Sequence, residues 1–311
     1  MSWSERRLTL GAWPSPIRSL RALRRDLWMK DDGLCHPAYA GNKVRKLEHL
    51  LYGAKERVIT LGAVGSHHVL ATAVHGNDAG HKVEAVVIPR PFDPHMLDML
   101  RATLPRATLH RAPNLIEGRK LLAELGEGAT VLPAGGSNPV GALGYVTAAM
   151  ELAAQVREGV LPAPRRVFVA LGTGGTAAGL AVGLKAAGLA SEVVAVRVVP
   201  TSWLDLDALK ALVRAVSELT GYAEAPITVQ DAQLGAGYGL PTASAKEAVA
   251  LAKAAADLRL EGTYTGKALA AAMHAGEGPD LFWCTLSRQA IEPLFGEGPP
   301  PDPAAWGFVT A

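Results

Sequence analysis

The sequence has few of the residues from which disulfide frameworks and metal clusters are built. It contains 311 residues but only two cysteines, Cys35 and Cys284. Two cysteines cannot form a disulfide framework, and neither is paired with histidines at the spacing of a zinc site. We therefore predict that the protein has no metal centre.

Long apolar runs and an excess of charge of one sign are missing as well. No apolar run approaches the ~20 residues of a membrane-spanning helix, and residues 1–7 lack the apolar stretch of a signal peptide. The formal net charge is only +2, and no basic block is interleaved with aromatic residues, which argues against a nucleic-acid partner. These absences predict a cytoplasmic protein, with no membrane partner, that binds a small molecule.

Short apolar segments alternate with helical patterns along most of the chain. A helical patch is expected near residue 20, followed by a strand at 26–30. Further strands are predicted at 58–61, 83–88, 108–111, 130–133, 167–171, 193–199 and 227–229, and helices at 66–78, 94–104, 115–125, 139–156, 177–187, 204–219 and 244–258. Such alternation is typical of parallel sheets that carry helices on both faces. The sequence therefore predicts an α/β protein with two open, mostly parallel sheets.

The stretch 40–51 places a lysine at the start of a short helix. Its leucines recur at helical spacing, and Asn42 is a suitable N-cap for a helix that contains Lys43 in its first turn. The positive end of the helix dipole, with Arg45 and Lys46 nearby, disfavours a protonated amine at Lys43. A lysine that loses its proton easily is suited to Schiff-base chemistry, although an isolated basic turn is more often only solvated.

A glycine-rich turn joins the strand at 167–171 to a helix. It consists of Gly172, Thr173, Gly174, Gly175 and Thr176. Backbone N–H groups and two hydroxyls meet in such a turn, which is typical of a site for a phosphate dianion.

The same turn also satisfies the dinucleotide pattern G-x-G-x-x-A. That pattern expects an acidic residue at the end of the next strand, where this chain has Arg197. An arginine at this position would suit the extra phosphate of NADP better than the ribose of NAD. An NADP-dependent reductase therefore stays open as a reading of these residues.

Three further residues stand in turns that lead into helices or form glycine-lined loops. Ser66 occupies an N-cap position before His67, where a carboxylate would dock on the helix N-terminus. Tyr238 lies in the glycine-lined loop 235–241, and Tyr264 lies in the turn 261–267. Taken alone, Ser66 is more often a simple cap, whereas tyrosines in such loops are packed loop residues only about half the time.

The five stretches that carry chemistry are 40–51, the turn at Ser66, the turn 172–176, the loop 235–241 and the turn 261–267. Together they resemble the pyridoxal-phosphate-dependent family of D-cysteine desulfhydrases and 1-aminocyclopropane-1-carboxylate deaminases, and the resemblance runs from about residue 16 to about residue 267. The most specific is the stretch 41–48, whose first lysine, Lys43, falls on the family's Schiff-base lysine. The resemblance places Ser66 on the serine that binds the substrate carboxylate and handles protons, and Tyr238 and Tyr264 on the two active-site tyrosines. It places the cofactor, pyridoxal 5'-phosphate, against Asn42, Lys43, His67, Gly172, Thr173, Gly174, Gly175, Thr176 and Thr265.

Thr265 distinguishes between branches of the family. As the resemblance places it, this side chain faces the pyridine nitrogen of the cofactor, where a deaminase has glutamate. A neutral hydroxyl stabilises a carbanion less than an acid does, which favours prompt loss of a β leaving group. The resemblance thus points to the desulfhydrase-like branch.

Two positions depart from the family pattern. His67 stands where the family has an asparagine that binds the ring hydroxyl of the cofactor, and an imidazole can replace it only in a suitable tautomer. The stretch 282–287, which includes Cys284, replaces a His-Thr-Gly-Gly segment. These departures leave room for altered specificity or for an inactive ligand-binding relative.

The resemblance implies the tryptophan-synthase-β-like fold, a homodimer, and β-elimination on a small amino acid to give a 2-oxo acid and ammonia. Residues 1–51 and 156–311 would form a large cofactor-binding domain, with a small domain at 52–155 inserted into it. A cyclopropane amino-acid deaminase and an amino-acid racemase use the same fold and stay open.

Overall fold

The computed structural model describes residues 2–306 and 308–309. Its strands are β1 (Ile17–Ser19), β2 (Leu27–Asp31), β3 (Arg57–Ala63), β4 (Lys82–Ile88), β5 (Arg90–Pro91), β6 (Thr108–Arg111), β7 (Thr130–Val131), β8 (Arg166–Leu171), β9 (Glu192–Arg197), β10 (Ile227–Gln230), β11 (Asp280–Cys284) and β12 (Phe308–Val309). Its helices are α1 (Asn42–Leu50), α2 (His67–Asp78), α3 (Pro94–Thr103), α4 (Leu115–Leu125), α5 (Pro139–Arg157), α6 (Gly175–Ala186), α7 (Leu206–Thr220), α8 (Ala243–Ala256) and α9 (Thr265–Met273).

The strands form two main sheets. One has six strands in the order β1-β2-β11-β8-β9-β10, and the other has four in the order β6-β4-β3-β7. All their neighbouring strands are parallel except β1 and β2. The prediction of an α/β fold with two mostly parallel sheets is therefore confirmed. None of the helices in the described residues is long and apolar enough to cross a membrane.

Two local predictions were wrong or incomplete. The expected helical patch near residue 20 is a strand, β1, whose Ile17 pairs with Lys30 of β2, followed by turns. The sequence analysis also missed β11, all five residues of which are buried between β2 and β8. A short apolar run of this kind carries no periodicity that would identify it as a strand.

Small residues allow the helices that flank the six-stranded sheet to pack closely. A Cβ atom added at Gly144 of α5 would lie 2.1 Å from the carbonyl oxygen of Arg45, and one at Gly179 of α6 would lie 2.2 Å from that of Ala142. Helix α5, which we assigned to the small domain, thus packs in one core with α6 and β8. The division of the chain into two domains stays a prediction.

A buried ion pair joins α1 to the rest of this core. Asp32 is fully buried and accepts hydrogen bonds from Arg45 (2.8 Å), from the hydroxyl of Tyr145 (2.7 Å) and from the indole N–H of Trp283 (2.8 Å). Arg45 also pairs with Glu151 of α5 at 3.0 Å. Burial alone would raise the pKa of Asp32, but the charge and hydrogen bonds of Arg45 hold that pKa below its usual value. The pair therefore fixes α1 in a single orientation.

We expect Arg45→Met to lower the free energy of unfolding by about 3–5 kcal/mol, because it leaves the Asp32 carboxylate buried without a counter-charge. Denaturant unfolding measures this change. Lys82→Met, which breaks the solvent-exposed pair Lys82–Glu56, is the control and should leave the unfolding midpoint unchanged. Equal midpoints for Arg45→Met and the unmodified protein would contradict the assignment.

Candidate active site

The predicted site residues meet at one cavity of about 200 Å³. It lies at the carboxyl ends of β3, β4, β8 and β11, where ligands bind in open α/β sheets. The predicted residues that line it are Asn42, Lys43, Ser66, His67, Gly172, Thr173, Gly174, Thr176, Tyr238, Tyr264 and Thr265. Gly175 does not line it, and instead donates its N–H to the hydroxyl of Ser137 at 3.2 Å.

Lys43 presents its amine to this cavity from the first turn of α1. The amine donates a hydrogen bond to Oδ1 of Asn42 at 3.1 Å, and burial lowers the pKa of Lys43 to about 8. Our prediction of a lowered pKa is thus supported, with burial as its cause, but the part expected of Arg45 was wrong. The guanidinium of Arg45 is bound to Asp32 and Glu151 instead of facing the amine.

The N-cap of α1 is Gly41, not Asn42 as predicted. Gly41 has a φ of +95°, and a Cβ atom there would lie 2.8 Å from the carbonyl oxygen of Thr285. Only glycine fits this close approach without strain. Asn42 is thereby released from capping, and its side-chain amide donates to the hydroxyl of Thr176 at 3.2 Å, which links α1 to the glycine-rich turn.

Lys46 is a second buried lysine beside the glycine-rich turn, and the sequence analysis gave it no site role. Its amine donates to the carbonyl of Gly135 at 3.0 Å and to the hydroxyl of Ser137 at 3.1 Å, and a Cβ atom at Gly175 would lie 3.1 Å from it. Burial, and then the charge of Lys43, lower its pKa well below the usual value. The i, i+3 spacing from Lys43 was the signal that could have found it.

The glycine-rich turn has the geometry of an anion site. Gly174 is the N-cap of α6, has a left-handed backbone with φ of +86°, and makes no side-chain capping hydrogen bond. Apart from the N–H of Gly175, which donates to the Ser137 hydroxyl, the first N–H groups of α6 have no side-chain cap, and the Lys46 amine lies next to them. A phosphate dianion satisfies both needs.

Ser66 is the N-cap of α2, as predicted. Its hydroxyl accepts the N–H of His68 at 3.2 Å. The preceding Gly65 has a φ of +69°, and a Cβ atom there would lie 2.1 Å from the carbonyl oxygen of Met96. This tight turn directs the N-terminus of α2 into the cavity.

His67 has one satisfied and one unsatisfied ring nitrogen. Its Nδ1 lies 2.6 Å from the hydroxyl of Tyr39, whereas its buried Nε2 has no hydrogen-bond partner within the described part of the chain. Burial lowers the pKa of His67 well below its usual value, so the ring is neutral. If Tyr39 donates to Nδ1, Nε2 carries the proton and is a donor toward the cavity.

Tyr264 and Tyr238 form a hydroxyl pair. The hydroxyl of Tyr264 donates to that of Tyr238 at 2.9 Å, and burial raises the pKa of Tyr264 well above its usual value. Lys267 holds the Tyr238 loop, because its buried amine donates to the carbonyls of Leu234 (2.9 Å) and Gly237 (3.4 Å). Only the fold reveals this role of Lys267, since 30 residues separate it from Gly237.

Thr265 lies at the start of α9 and is tied to Glu261. Its hydroxyl donates to Oε1 of Glu261 at 2.8 Å and accepts the N–H of Glu261 at 3.2 Å. The Glu261 carboxylate also accepts the N–H groups of Thr263, Tyr264 and Thr265. Thr265 therefore offers the cavity a lone pair and no charge of its own.

Arg197 and Cys284, which motivated the NADP-dependent reductase and the inactive ligand-binding relative, do not line the cavity. Arg197, which favoured NADP, is bound to Asp231 (2.6 Å) and to the carbonyl of Leu204 (2.6 Å), so it is not free to hold a nucleotide phosphate. Cys284 is buried in the core, and burial raises its pKa well above the usual value, while burial raises the pKa of Cys35 to about 12. Of the stretch 282–287, only Thr285, Leu286 and Ser287 line the cavity.

One group of potential metal ligands occurs outside the cavity within residues 2–306. The donor atoms of His36, His75 and Asp78 lie within 4.8 Å of one another. However, Nδ1 of His36 accepts the N–H of Ala38 at 3.2 Å, so a metal on its other nitrogen would need the unfavourable imidazolate. The absence of a metal centre stays a prediction.

We expect Lys43 to react with an acylating reagent with a pH midpoint of about 8, because burial lowers its pKa to that value. An exposed lysine has a midpoint near 10.4. Peptide mass spectrometry of the cofactor-free protein measures both in one sample, and Lys43→Ala serves as the control that removes the early-titrating label. A midpoint for Lys43 equal to that of exposed lysines would contradict the burial argument.

Comparison with known proteins agrees with this geometry. The family model described as "Pyridoxal-phosphate dependent enzyme" matches residues 8–281. The chain is 34% identical to a D-cysteine desulfhydrase of Klebsiella pneumoniae (strain 342) over 313 residues, which cover 92% of this chain and 95% of the relative. It is 35% identical to the nocardicin C-9' epimerase of Nocardia uniformis subsp. tsuyamanensis over 307 residues, which cover 92% of this chain and 93% of the relative.

A solved structure shows the same fold over nearly the whole chain. The crystal structure of an ACC deaminase homologue superposes with a TM-score of 0.78 at 26% identity, covering 93% of this chain and 96% of the other. A threonine deaminase from Solanum lycopersicum, at 14% identity and a TM-score of 0.64, covers 90% of this chain and 82% of its own and shares the fold. The chain therefore belongs to the pyridoxal-phosphate-dependent enzyme family and uses pyridoxal phosphate as its cofactor.

Proposed function

We propose that the protein catalyses β-elimination on a small amino acid, in the manner of a D-cysteine desulfhydrase, and releases a 2-oxo acid and ammonia. The observation that carries this proposal is the composition of one cavity. A lysine amine with a lowered pKa, a helix N-terminus capped by Ser66, and the hydroxyl pair of Tyr238 and Tyr264 all line it. These are the base, the carboxylate site and the proton donor that an elimination needs.

The side chains of the cavity fit the cofactor. Lys43 would hold it covalently through Nζ, and the turn 172–176 with Lys46 would hold its phosphate. When the Tyr39 hydroxyl donates to Nδ1, the unpartnered Nε2 of His67 is a donor that the cofactor's ring hydroxyl would satisfy. In that tautomer, His67 would replace the family's asparagine without loss of the hydrogen bond.

Each residue has a distinct task in the proposed reaction. Bound pyridoxal phosphate supplies an electron sink for the charge left at Cα when its proton is removed. The N-terminus of α2 and the Ser66 hydroxyl bind the substrate carboxylate, and the Lys43 amine removes the Cα proton. Tyr238, which is hydrogen-bonded to Tyr264, protonates the β substituent as its bond to Cβ breaks. Water then converts the released unsaturated amine into the 2-oxo acid and ammonia.

The environment of Thr265 supports elimination over ring opening. The carboxylate of Glu261 accepts hydrogen bonds from three backbone N–H groups and from the Thr265 hydroxyl. No free carboxylate at this position would then prolong the lifetime of a carbanion, and loss of the leaving group is favoured.

A racemase or epimerase is the second candidate, because one relative at 35% identity is an epimerase. It would return the proton to the other face of Cα instead of losing a β substituent. A cyclopropane amino-acid deaminase and an inactive ligand-binding relative are further alternatives. The cytoplasmic location stays a proposal, and the homodimer is a proposal that rests on the family resemblance.

The proposed function is tested with the purified, cofactor-loaded protein and D- and L-cysteine. We expect sulfide and pyruvate in equal amounts from one enantiomer, and complete loss of both products in Lys43→Ala. Deuterium from solvent in unreacted amino acid, without pyruvate, would instead identify a racemase. Turnover of 1-aminocyclopropane-1-carboxylate would identify ring opening, and cofactor binding without any product would identify an inactive relative.

We expect Tyr39→Phe to weaken cofactor binding roughly fivefold, because the loss of about 1 kcal/mol of hydrogen bonding frees the tautomer of His67. Equilibrium dialysis measures the apparent Kd, and the absorption maximum of the bound cofactor reports on the same contact.

His67→Asn supplies the matched background for this measurement. An amide needs no partner to present a donor, so Tyr39→Phe should change the Kd less than twofold when residue 67 is asparagine. An equal loss in both backgrounds would mean that Tyr39 acts through packing alone.

A further inference from the structure

One cationic side chain of the cavity has no anionic partner among the described residues. Arg90 lines the cavity from β5, and only 4% of its surface is exposed. In the described residues its guanidinium makes a single hydrogen bond, from Nε to the carbonyl of Pro91 at 3.3 Å, and it takes part in no ion pair. Its two terminal nitrogens are therefore available to a ligand.

The other arginines with similar burial are all paired. Arg45 (3% exposed) binds Asp32 and Glu151, and Arg197 (4% exposed) binds Asp231. A buried guanidinium without a counter-charge is unfavourable, so buried arginines carry a carboxylate partner. Arg90 is an exception, and it lines the cavity. We take this to indicate that the ligand supplies its counter-charge.

Two anionic groups are already accounted for elsewhere in the cavity. The cofactor phosphate is assigned to the turn 172–176 with Lys46, and the substrate carboxylate is assigned to Ser66. Arg90 lies instead beside the tyrosine pair, since its guanidinium carbon is 5.6 Å from the ring centre of Tyr238. This is the side on which we place the β substituent of the substrate.

The charge of the lining also favours an anion. Four basic residues line the cavity: Lys43, Lys46, Arg90 and Arg119. Among the described lining residues, Glu261 is the one acidic residue. The carboxylate of Glu261 is bound to the backbone at 263–265, so it does not neutralise Arg90. Because burial lowers the pKa of both lysines, the two arginines supply the fixed positive charge of the lining, and this charge attracts anions.

We propose that Arg90 binds an anionic group on the side chain of the substrate. The substrate class is then a small α-amino acid whose β leaving group is itself anionic, such as a sulfonate, a sulfate ester or a phosphate ester, which departs with the electron pair of its bond to Cβ. Aspartate and glutamate carry an anion on the side chain but no β leaving group, so they probe binding without turnover. A guanidinium binds such planar or trigonal oxyanions with two parallel hydrogen bonds. This inference rests on the proposed function, because it takes the α-carboxylate to lie at Ser66.

The test compares amino acids that differ in charge but not in size. Aspartate with asparagine, and glutamate with glutamine, are titrated as both enantiomers against the cofactor-loaded protein, with the absorbance of the bound cofactor as the readout. We expect at least one acidic amino acid to bind about tenfold or more tightly than its amide. In Arg90→Gln this preference should disappear, while the affinity for the amide changes less than twofold.

Two variants serve as controls. Arg119→Gln removes the same charge from an exposed residue of the lining and should retain the preference for the acid. Arg90→Met should unfold, without ligand, at the same temperature as the unmodified protein or higher, because it removes an unpaired buried charge. A purely structural arginine would give a lower temperature.

Three outcomes overturn the proposal: no acidic amino acid is preferred, the preference survives in Arg90→Gln, or Arg90→Gln weakens acid and amide equally. The last would place the α-carboxylate on Arg90. Failure of the proposed function looks different, because the loaded protein would then release no 2-oxo acid from any amino acid, whichever of the acid and the amide it binds more tightly.

Discussion

The buried pair of Arg45 and Asp32 is the interaction on which the rest of the site depends. Asp32 also receives the hydroxyl of Tyr145 from α5 and the indole of Trp283 from β11. The pair thus ties α1 to a helix and a strand that lie far apart in sequence. Because Lys43 and Lys46 extend from the same helix, their positions beside the glycine-rich turn follow from this one contact. A lysine whose pKa is lowered by burial needs such a rigid support, since a mobile helix would let water restore its charge.

The fold and most of the cavity could be predicted because they follow local patterns. Alternating strands and helices indicate parallel sheets, and the turns at Ser66 and at 172–176 stand directly after strands whose carboxyl ends meet. The N-cap of α1 was misassigned because the conformation of Gly41 is set by a contact with Thr285, more than 200 residues away. Periodicity within a helix contains no information about such a contact.

Residues that act through long-range contacts could not be predicted in the same way. Nothing in the sequence distinguishes Arg90 from Arg197. In the fold, Arg197 pairs with the carboxylate of Asp231, whereas Arg90 binds only the carbonyl of Pro91 among the described residues. The reading of Arg197 as a nucleotide-binding residue failed for this reason. Lys267 and Tyr39 likewise gain their roles only where the Tyr238 loop and α2 pack against them. Burial and pairing, which decide whether a charge is structural or functional, are properties of the folded chain.

The burial of both cysteines has a consequence for the chemical surroundings in which the protein can work. Cys284 is fully buried and Cys35 is 2% exposed, and both have raised pKa values. Neither presents a thiolate, so peroxides, disulfides and polysulfides meet no reactive cysteine on the described surface. Oxidising or sulfide-rich conditions would therefore change the state of a thiol-containing small molecule while leaving the two cysteine thiols of the protein unmodified.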